Sequence, residues 1–294
     1  MVEGSEIIRF LFLQEKESDY MNANKKRFIN GVTNYEEYSK NRKENSIYLS
    51  KKAIVMQMLE KKERGEEITL VDQMMLVQCI QVSKLTGKLD GYYAISTSVM
   101  MNPICQERAR KDGCICKECY AAACLNRYGS LCMALEINHL ILNNFLISPE
   151  AWATLQIPST NGKARIEAHG DTASATCAIN YVRIIKTHSF LEFGVWTKNL
   201  NHYRVAFNKE GKPANCRFIY SSIEINVPSE VPADMVEYVD HVFTVYTKEY
   251  AIEHHIHINC GRYDENLEMI DQKCRTCMRC YTGGTEFFIN ELLK

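Results

Sequence analysis

The sequence predicts an α/β protein, a parallel sheet that is open or curled into part of a barrel, with a helical appendage before it and a cysteine-rich tail after it. Three observations predict this. From Gly91 onward, short runs of β-branched and aromatic residues alternate with helical runs, an order that implies right-handed crossovers between parallel strands. Before Gly91 the texture is helical alone. Eight of the 13 cysteines form two groups, one on each side of the strand series.

In the first ninety residues, 51–63 and 69–82 carry apolar residues at helical spacing (Val55, Met58, Leu59; Leu70, Met74, Val77), with Gly65 in the polar break between them. Thr69 followed by Asp72 resembles a capping box with Asp in place of Glu. The hairpin has the outline of a helix-turn-helix, but its acids and bases are evenly mixed, as in a packing appendage. Lys25, Lys26 and Arg27, among nearby acids, read as a solvated helix face. Ile7 to Leu13 is a short apolar run broken by Arg9, too short to span a bilayer and without a small-residue cleavage site after it.

The strand series begins with 92–96, followed by a cysteine-rich loop and a helix through 131–146. Ser148, Pro149 and Glu150 then supply an N-cap, an N1 proline and a first-turn acid for another helix. Four more strands are predicted at 164–168, 191–196, 217–220 and 241–246, with helices at 174–186 (Ile179, Val182, Ile185) and 200–207. Polar residues follow each strand: His169, Gly170 and Asp171; Thr197 and Lys198; Ser221, Ser222 and Glu224; Thr247 and Lys248. The carboxyl ends of parallel strands form one rim where ligands sit, so these groups are expected to converge. The chain divides into a helical region (1–90), an α/β barrel part (91–259) and a metal-binding tail (260–294).

With 294 residues, 46% of them hydrophobic, the chain can bury a sizeable core without disulfides. A net charge of -1 gives no indication of nucleic-acid binding, and no membrane association is expected. An odd cysteine total in so long a chain is unlike a secreted disulfide framework and points to a reducing cytoplasm. There, grouped cysteines bind metal or do redox chemistry. The first group is Cys105, Cys114, Cys116 and Cys119, in the run CQERARKDGCICKECYA. The second is Cys260 with Cys274, Cys277 and Cys280, in the run CRTCMRCY. Cysteines two residues apart can aim both sulfurs at one metal from a single turn. Four thiolates suit tetrahedral zinc or an iron-sulfur cluster, and the two successive short steps from Cys274 to Cys280 lean toward a cluster. Cys79, Cys124, Cys132, Cys177 and Cys216 stand singly, as small buried hydrophobes do.

A cysteine loop after the first strand, facing polar residues at the ends of later strands, resembles the arrangement of radical S-adenosylmethionine enzymes. In that resemblance three cysteines hold a four-iron cluster and leave one iron open to the cofactor. His169, Gly170 and Asp171 fall where such enzymes carry a glycine-rich acidic turn for the methionine amino group. A Gly beside an acid suits close backbone approach to a ligand. The runs CKECYAAA, ARIEAHGDTAS, FGVWTKN and CRTCMRC together resemble the gene product 88 family of phage and prophage proteins over about 91–282. More distantly they resemble phage-associated radical S-adenosylmethionine-like proteins with a Gly-Cys-x-x-Cys-Tyr-Ala element. The resemblance implies a partial TIM-barrel-like core and a phage or mobile-element origin in a bacterial host, and carries no established activity.

The spacing departs from the usual one of three residues and then two. Eight residues separate Cys105 from Cys114, and one separates Cys114 from Cys116. With Cys105, Cys116 and Cys119 as ligands an iron stays open; with Cys114 added the site is closed. On this reading Gly170 and Asp171 contact the methionine end, Lys198, Ser222 and Lys248 line the pocket, and the tail cysteines hold an auxiliary cluster. The substrate is an unknown small molecule or macromolecule. The competing reading is a non-catalytic zinc protein whose rim binds nucleic acid or a host protein. A third keeps iron-sulfur clusters without S-adenosylmethionine. His254, His255 and His257 lie near a strand-like run, 253–259, but lack helical spacing or a partner acid. Trp152 and Trp196 are expected in the core, and no phosphate-binding glycine pattern is present.

Overall fold

A computed structural model describes residues 43–159, 161–261, 263–264, 266–282 and 286–293. The apolar run at Ile7 and the basic cluster Lys25 to Arg27 lie outside the described residues. Helix α1 (Ser46–Glu63) is capped by Asn45, whose side chain accepts from the Tyr48 amide. Helix α2 (Leu70–Cys79) starts on the predicted capping box between Thr69 and Asp72. It ends three residues before the expected boundary. The side chain of buried Asn138 accepts from the Gln81 amide at 2.8 Å and donates to the Gln81 carbonyl at 2.9 Å, holding this segment extended. Val55, Met58, Leu76 and Val77 join the same buried cluster as the sheet, so the hairpin is a packed part of the core. Among the described residues, no helix is long and apolar enough to cross a membrane.

Seven strands follow: β1 (Ser83–Lys84), β2 (Tyr93–Ile95), β3 (Lys163–Ile166), β4 (Glu192–Thr197), β5 (Cys216–Ser221), β6 (His241–Tyr246) and β7 (Phe288–Leu292). They pair in chain order into an open sheet. β1 is antiparallel to β2, and each later pair is parallel. Between them run α3 (Pro103–Arg108), α4 (Tyr120–Arg127), α5 (Gly129–Asn144), α6 (Pro149–Trp152), α7 (Ala175–Thr187) and α8 (Leu200–Glu210). Ser148 caps α6, as the Ser-Pro-Glu start predicts, and Ser174, the first residue of the predicted helix 174–186, caps α7. Helix α9 (Lys248–Glu253) follows β6, and α10 (Cys274–Cys277) lies in the tail.

Strand side chains alternate between two faces. Ala164, Ile166, Phe193, Val195, Phe218 and Tyr220 pack into the main core with Tyr181, Ile184, Tyr203 and Phe207 of α7 and α8. The other face carries Arg165, Trp196 and Arg217, and the tail covers it through Tyr281. Tyr281 Oη donates to the Ala164 carbonyl (3.2 Å), its carbonyl accepts from Arg217 Nε (3.3 Å), and its ring stacks on Tyr92. Gly194 makes room for this cover, because a Cβ there would stand 2.5 Å from Trp196 Cζ3 and 2.9 Å from Tyr281 Cζ. Trp196 thus lies half-buried beneath the Arg165 guanidinium, 3.8 Å away, while Trp152 is fully buried in the main core.

β7 is a strand that the sequence reading leaves inside the tail. Segment 253–259, expected to be strand-like, instead turns after α9 and guards the edge of β7. Asn259 accepts from the Asn290 amide (2.7 Å) and donates to the Phe288 carbonyl (2.8 Å). Lys88, just after β1, then clasps Glu291 of β7 through both carboxylate oxygens at 2.6 and 2.9 Å, across 203 residues of sequence.

Candidate functional site

At the carboxyl ends of β3, β4 and β5, Asp171, Thr197, Lys198 and Ser221 come together as expected. Asp171 is the knot. Its Oδ1 accepts from the Thr172 amide (2.8 Å) and Thr197 Oγ1 (2.7 Å), and its Oδ2 accepts from the Lys198 amide (3.0 Å) and Arg108 (3.4 Å). Gly170 sits where a Cβ would lie 2.5 Å from the Thr97 carbonyl oxygen and 2.4 Å from Glu167 Oε2, so the β3 turn touches the end of β2. His169 is half-buried. Burial, with Arg165 adding to it, lowers its pKa to about 4, so the ring is neutral at neutral pH.

Lys198 is half-buried and donates to Ser221 Oγ at 3.1 Å. Burial pulls its pKa down, but Cys116 and Asp171 outweigh that and hold the ammonium above its ordinary value. The end of β6 departs from the expected convergence. Thr247 caps α9, and Lys248 is exposed and paired with Glu268 at 2.7 Å. Ser222 is buried, bonded to Thr244 Oγ1 (2.8 Å) and the Ser229 amide (2.9 Å), so it braces the β5–β6 connection. A strand-end position says which rim a residue is on, and its neighbours decide where the side chain goes.

The first cysteine group meets this rim. Asn102 caps α3, accepting from the Ile104 amide, and its amide donates to the Asp171 carbonyl at 2.7 Å, placing buried Cys105 beside the knot. Cys114 forms a β-bridge with Glu224, and the Ile115 amide donates to the Ile223 carbonyl at 2.9 Å, so the loop is sewn to the segment after β5. Cys119 opens α4. The thiols act on one another. Burial pushes Cys105 well above its ordinary value, with Asp171 and Cys119 adding to the rise. Cys116 donates to Cys114, lowering Cys114 and raising itself.

The second group gathers on the covered face of the sheet. Burial pushes Cys280 up to about 12, and Cys260, Cys274 and Cys277 all contribute, with Arg165 opposing. Cys277 Sγ lies 2.7 Å from where a Cβ on Gly261 would be, next to Cys260. Among the described residues, no three Cys, His, Asp or Glu side chains stand at the spacing of one metal shell. Each group still supplies four soft sulfur donors near a cation: Lys198 at the rim, Lys88 and Arg165 at the tail. That donor set fits a thiolate-bound metal.

The profile of a family described as gene product 88 matches residues 74–285. The chain belongs to the gene product 88 family. The match takes in both cysteine groups and β1 to β6, while α1 and β7 lie outside it. No curated protein and no solved structure matches the chain. His254, His255 and His257 are exposed and outside both groups; the His254 ring lies tilted against Tyr250, 4.0 Å between centroids.

Four rim residues of this gene product 88 protein escape the sequence reading: Thr97, Asn102, Arg108 and Glu167. Glu167 is buried with φ 56°, accepting from the Thr97 amide (3.0 Å), Thr97 Oγ1 (2.6 Å) and Tyr181 Oη (2.7 Å). Burial raises its pKa to about 7 against those bonds. An acid at the end of the apolar run ARIEA was the available signal. Arg108 belongs to a charged run that resembles any exposed helix face, yet it joins Asp171 and donates to the Lys198 carbonyl at 3.0 Å. It borders a cleft of about 390 Å³ lined also by Lys198, Tyr220 and the first turn of α8.

Proposed function

We propose that this gene product 88 protein is an iron-sulfur enzyme with a radical S-adenosylmethionine-like partial barrel, phage- or prophage-encoded and cytoplasmic in its bacterial host. The observation that carries the reading is the gathering of Cys105, Cys114, Cys116 and Cys119 at the carboxyl ends of parallel strands, beside a cleft. Six consecutive parallel strands, β2 to β7, in chain order support a partial TIM-barrel-like description of the sheet.

Cys105, Cys116 and Cys119 would hold the rim cluster, and Cys260, Cys274, Cys277 and Cys280 an auxiliary one. A cluster supplies electron transfer when bound. The chain's own part is positioning. Asp171 fixes the backbone at Thr172 and Lys198, and Gly170 lets the turn close on β2. Cys114, hydrogen-bonded to Cys116, is the nearest fourth ligand and stays outside the shell in this proposal.

Anaerobic purification with iron, sulfide and zinc analysis and electron paramagnetic resonance tests the reading. Iron and sulfide in near-equal amounts are expected, with about half the iron lost in Cys116→Ser or Cys277→Ser and none in Cys114→Ser. Zinc alone, or no cofactor cleavage after reduction, sinks the radical mechanism. The zinc reading draws its support from the tail, where Cys274 and Cys280, packed with Tyr92 and Tyr281, suit a purely structural site.

A further inference from the structure

The cleft at the rim has a lining of one electrostatic sign. Arg108 and Lys198 face it, and no lining residue is acidic. An ammonium has three donors, and Lys198 uses one among the described residues, on Ser221 Oγ. The Arg108 guanidinium, with five donors, bonds Asp171 and the Lys198 carbonyl. Leu200, Asn201 and His202, the first turn of the eleven-residue α8, form another wall, and the N-cap Asn199 makes no side-chain cap bond there. Its amide donates instead to the Thr172 carbonyl at 2.7 Å. The positive end of the helix dipole favours negative charge there and adds to the two cations. Ile104, Ile223 and Pro232 make the remaining wall apolar.

We infer that this cleft seats the oxyanion of a small-molecule ligand, a carboxylate or a phosphate, between Arg108 and Lys198, with the ligand's apolar body against Ile104, Ile223 and Pro232. The inference rests on the rim being the functional site and names its ligand chemistry. The cleft's own walls contain none of the cysteines, so anion binding can be read whatever metal the protein carries.

The test titrates protein as purified, at constant ionic strength, with inorganic phosphate (31P line width) and with succinate (proton saturation transfer). Wild type and Lys248→Gln, an exposed lysine outside the cleft, are expected to bind at least one anion saturably. Lys198→Gln is expected to weaken it at least tenfold, as is Ile223→Trp, which fills the cleft and leaves both cations in place. Circular dichroism and the metal-to-protein ratio of each variant are measured on the same samples and are expected to match wild type. Binding of phosphate alone identifies a phosphorylated ligand, and of succinate alone a carboxylate. The proposal is overturned if neither anion binds wild type, or if Lys198→Gln and Ile223→Trp bind like wild type. It is also overturned if the loss in Lys198→Gln comes with loss of metal, which would place the lysine in service of the cysteines. Absence of iron from every sample would count against the cluster and leave the cleft judged by its own titration.

Discussion

The rim cysteines and the tail cysteines have the same donor set in opposite surroundings. The rim group hangs on short helices and a loop sewn to the segment after β5, beside a cleft with two cations. The tail group is pressed onto the sheet under Tyr281, Tyr92 and the Lys88–Glu291 clasp. The rim group adjoins a cleft and has Cys105 and Cys114 buried, while the four tail cysteines are half-buried, with Cys274 and Cys280 packed against Tyr92 and Tyr281.

The largest expected break in that contrast is Tyr281→Ala. Removing a buried aromatic that packs on β3, β4 and β5 should cost about 4 kcal/mol. Tail thiols should become alkylated faster while rim thiols keep their wild-type rates. Equal acceleration of both groups would show that they are not separate units. Next is Glu167, whose folded pKa of about 7 lies above its ordinary 4.5. The folded state therefore holds this proton more tightly than the unfolded one, and stability is lost as pH rises from 4.5 to 7. At about 1.36 kcal/mol per pKa unit the whole loss is about 3 kcal/mol. In Glu167→Gln the hydroxyls of Thr97 and Tyr181 can turn to accept, so urea unfolding should lack this slope. An unchanged pH profile would remove Glu167 as its source.

Gly170→Ala forces a methyl onto the Thr97 carbonyl and should destabilise by about 2 kcal/mol. Its effect on cysteine accessibility should be confined to the rim, and a tail response would contradict the division. The smallest expected effect is Glu291→Gln, about 1.5 kcal/mol for an ion pair reduced to a single ammonium–amide hydrogen bond. It should appear as a lower thermal midpoint with rim thiols unaffected; an unchanged midpoint would make the clasp incidental.

Much of the scaffold could be read from residue order because its signals are local. FGVWT and RFIY alternate as strands do, and Thr69, Ser148 and Ser174 announce their helices. What escaped depends on distant partners. Asn138 ends α2 early by bonding Gln81 from a different helix. Ser222 and Lys248 follow strands as Lys198 does, yet Thr244 takes one and Glu268 the other. Arg108 reads as a surface charge until β3 and β4 bring Asp171 and Lys198 to it. The cysteine groups were visible because each is nearly contiguous, apart from Cys260, which the β7 edge returns to its partners through the Asn290 carbonyl.

The clasp between Lys88 and Glu291 also orders events in time. Contacts of great sequence separation form late, after the loop-closure entropy of the intervening chain has been overcome. The rim cysteines are all translated by residue 119, before β3, β4 and β5, whereas the tail cysteines are followed by β7, which carries Glu291 of the clasp. A nascent chain therefore presents its four rim sulfurs before its tail sulfurs can be enclosed, and under the proposed function the rim group would meet its metal first.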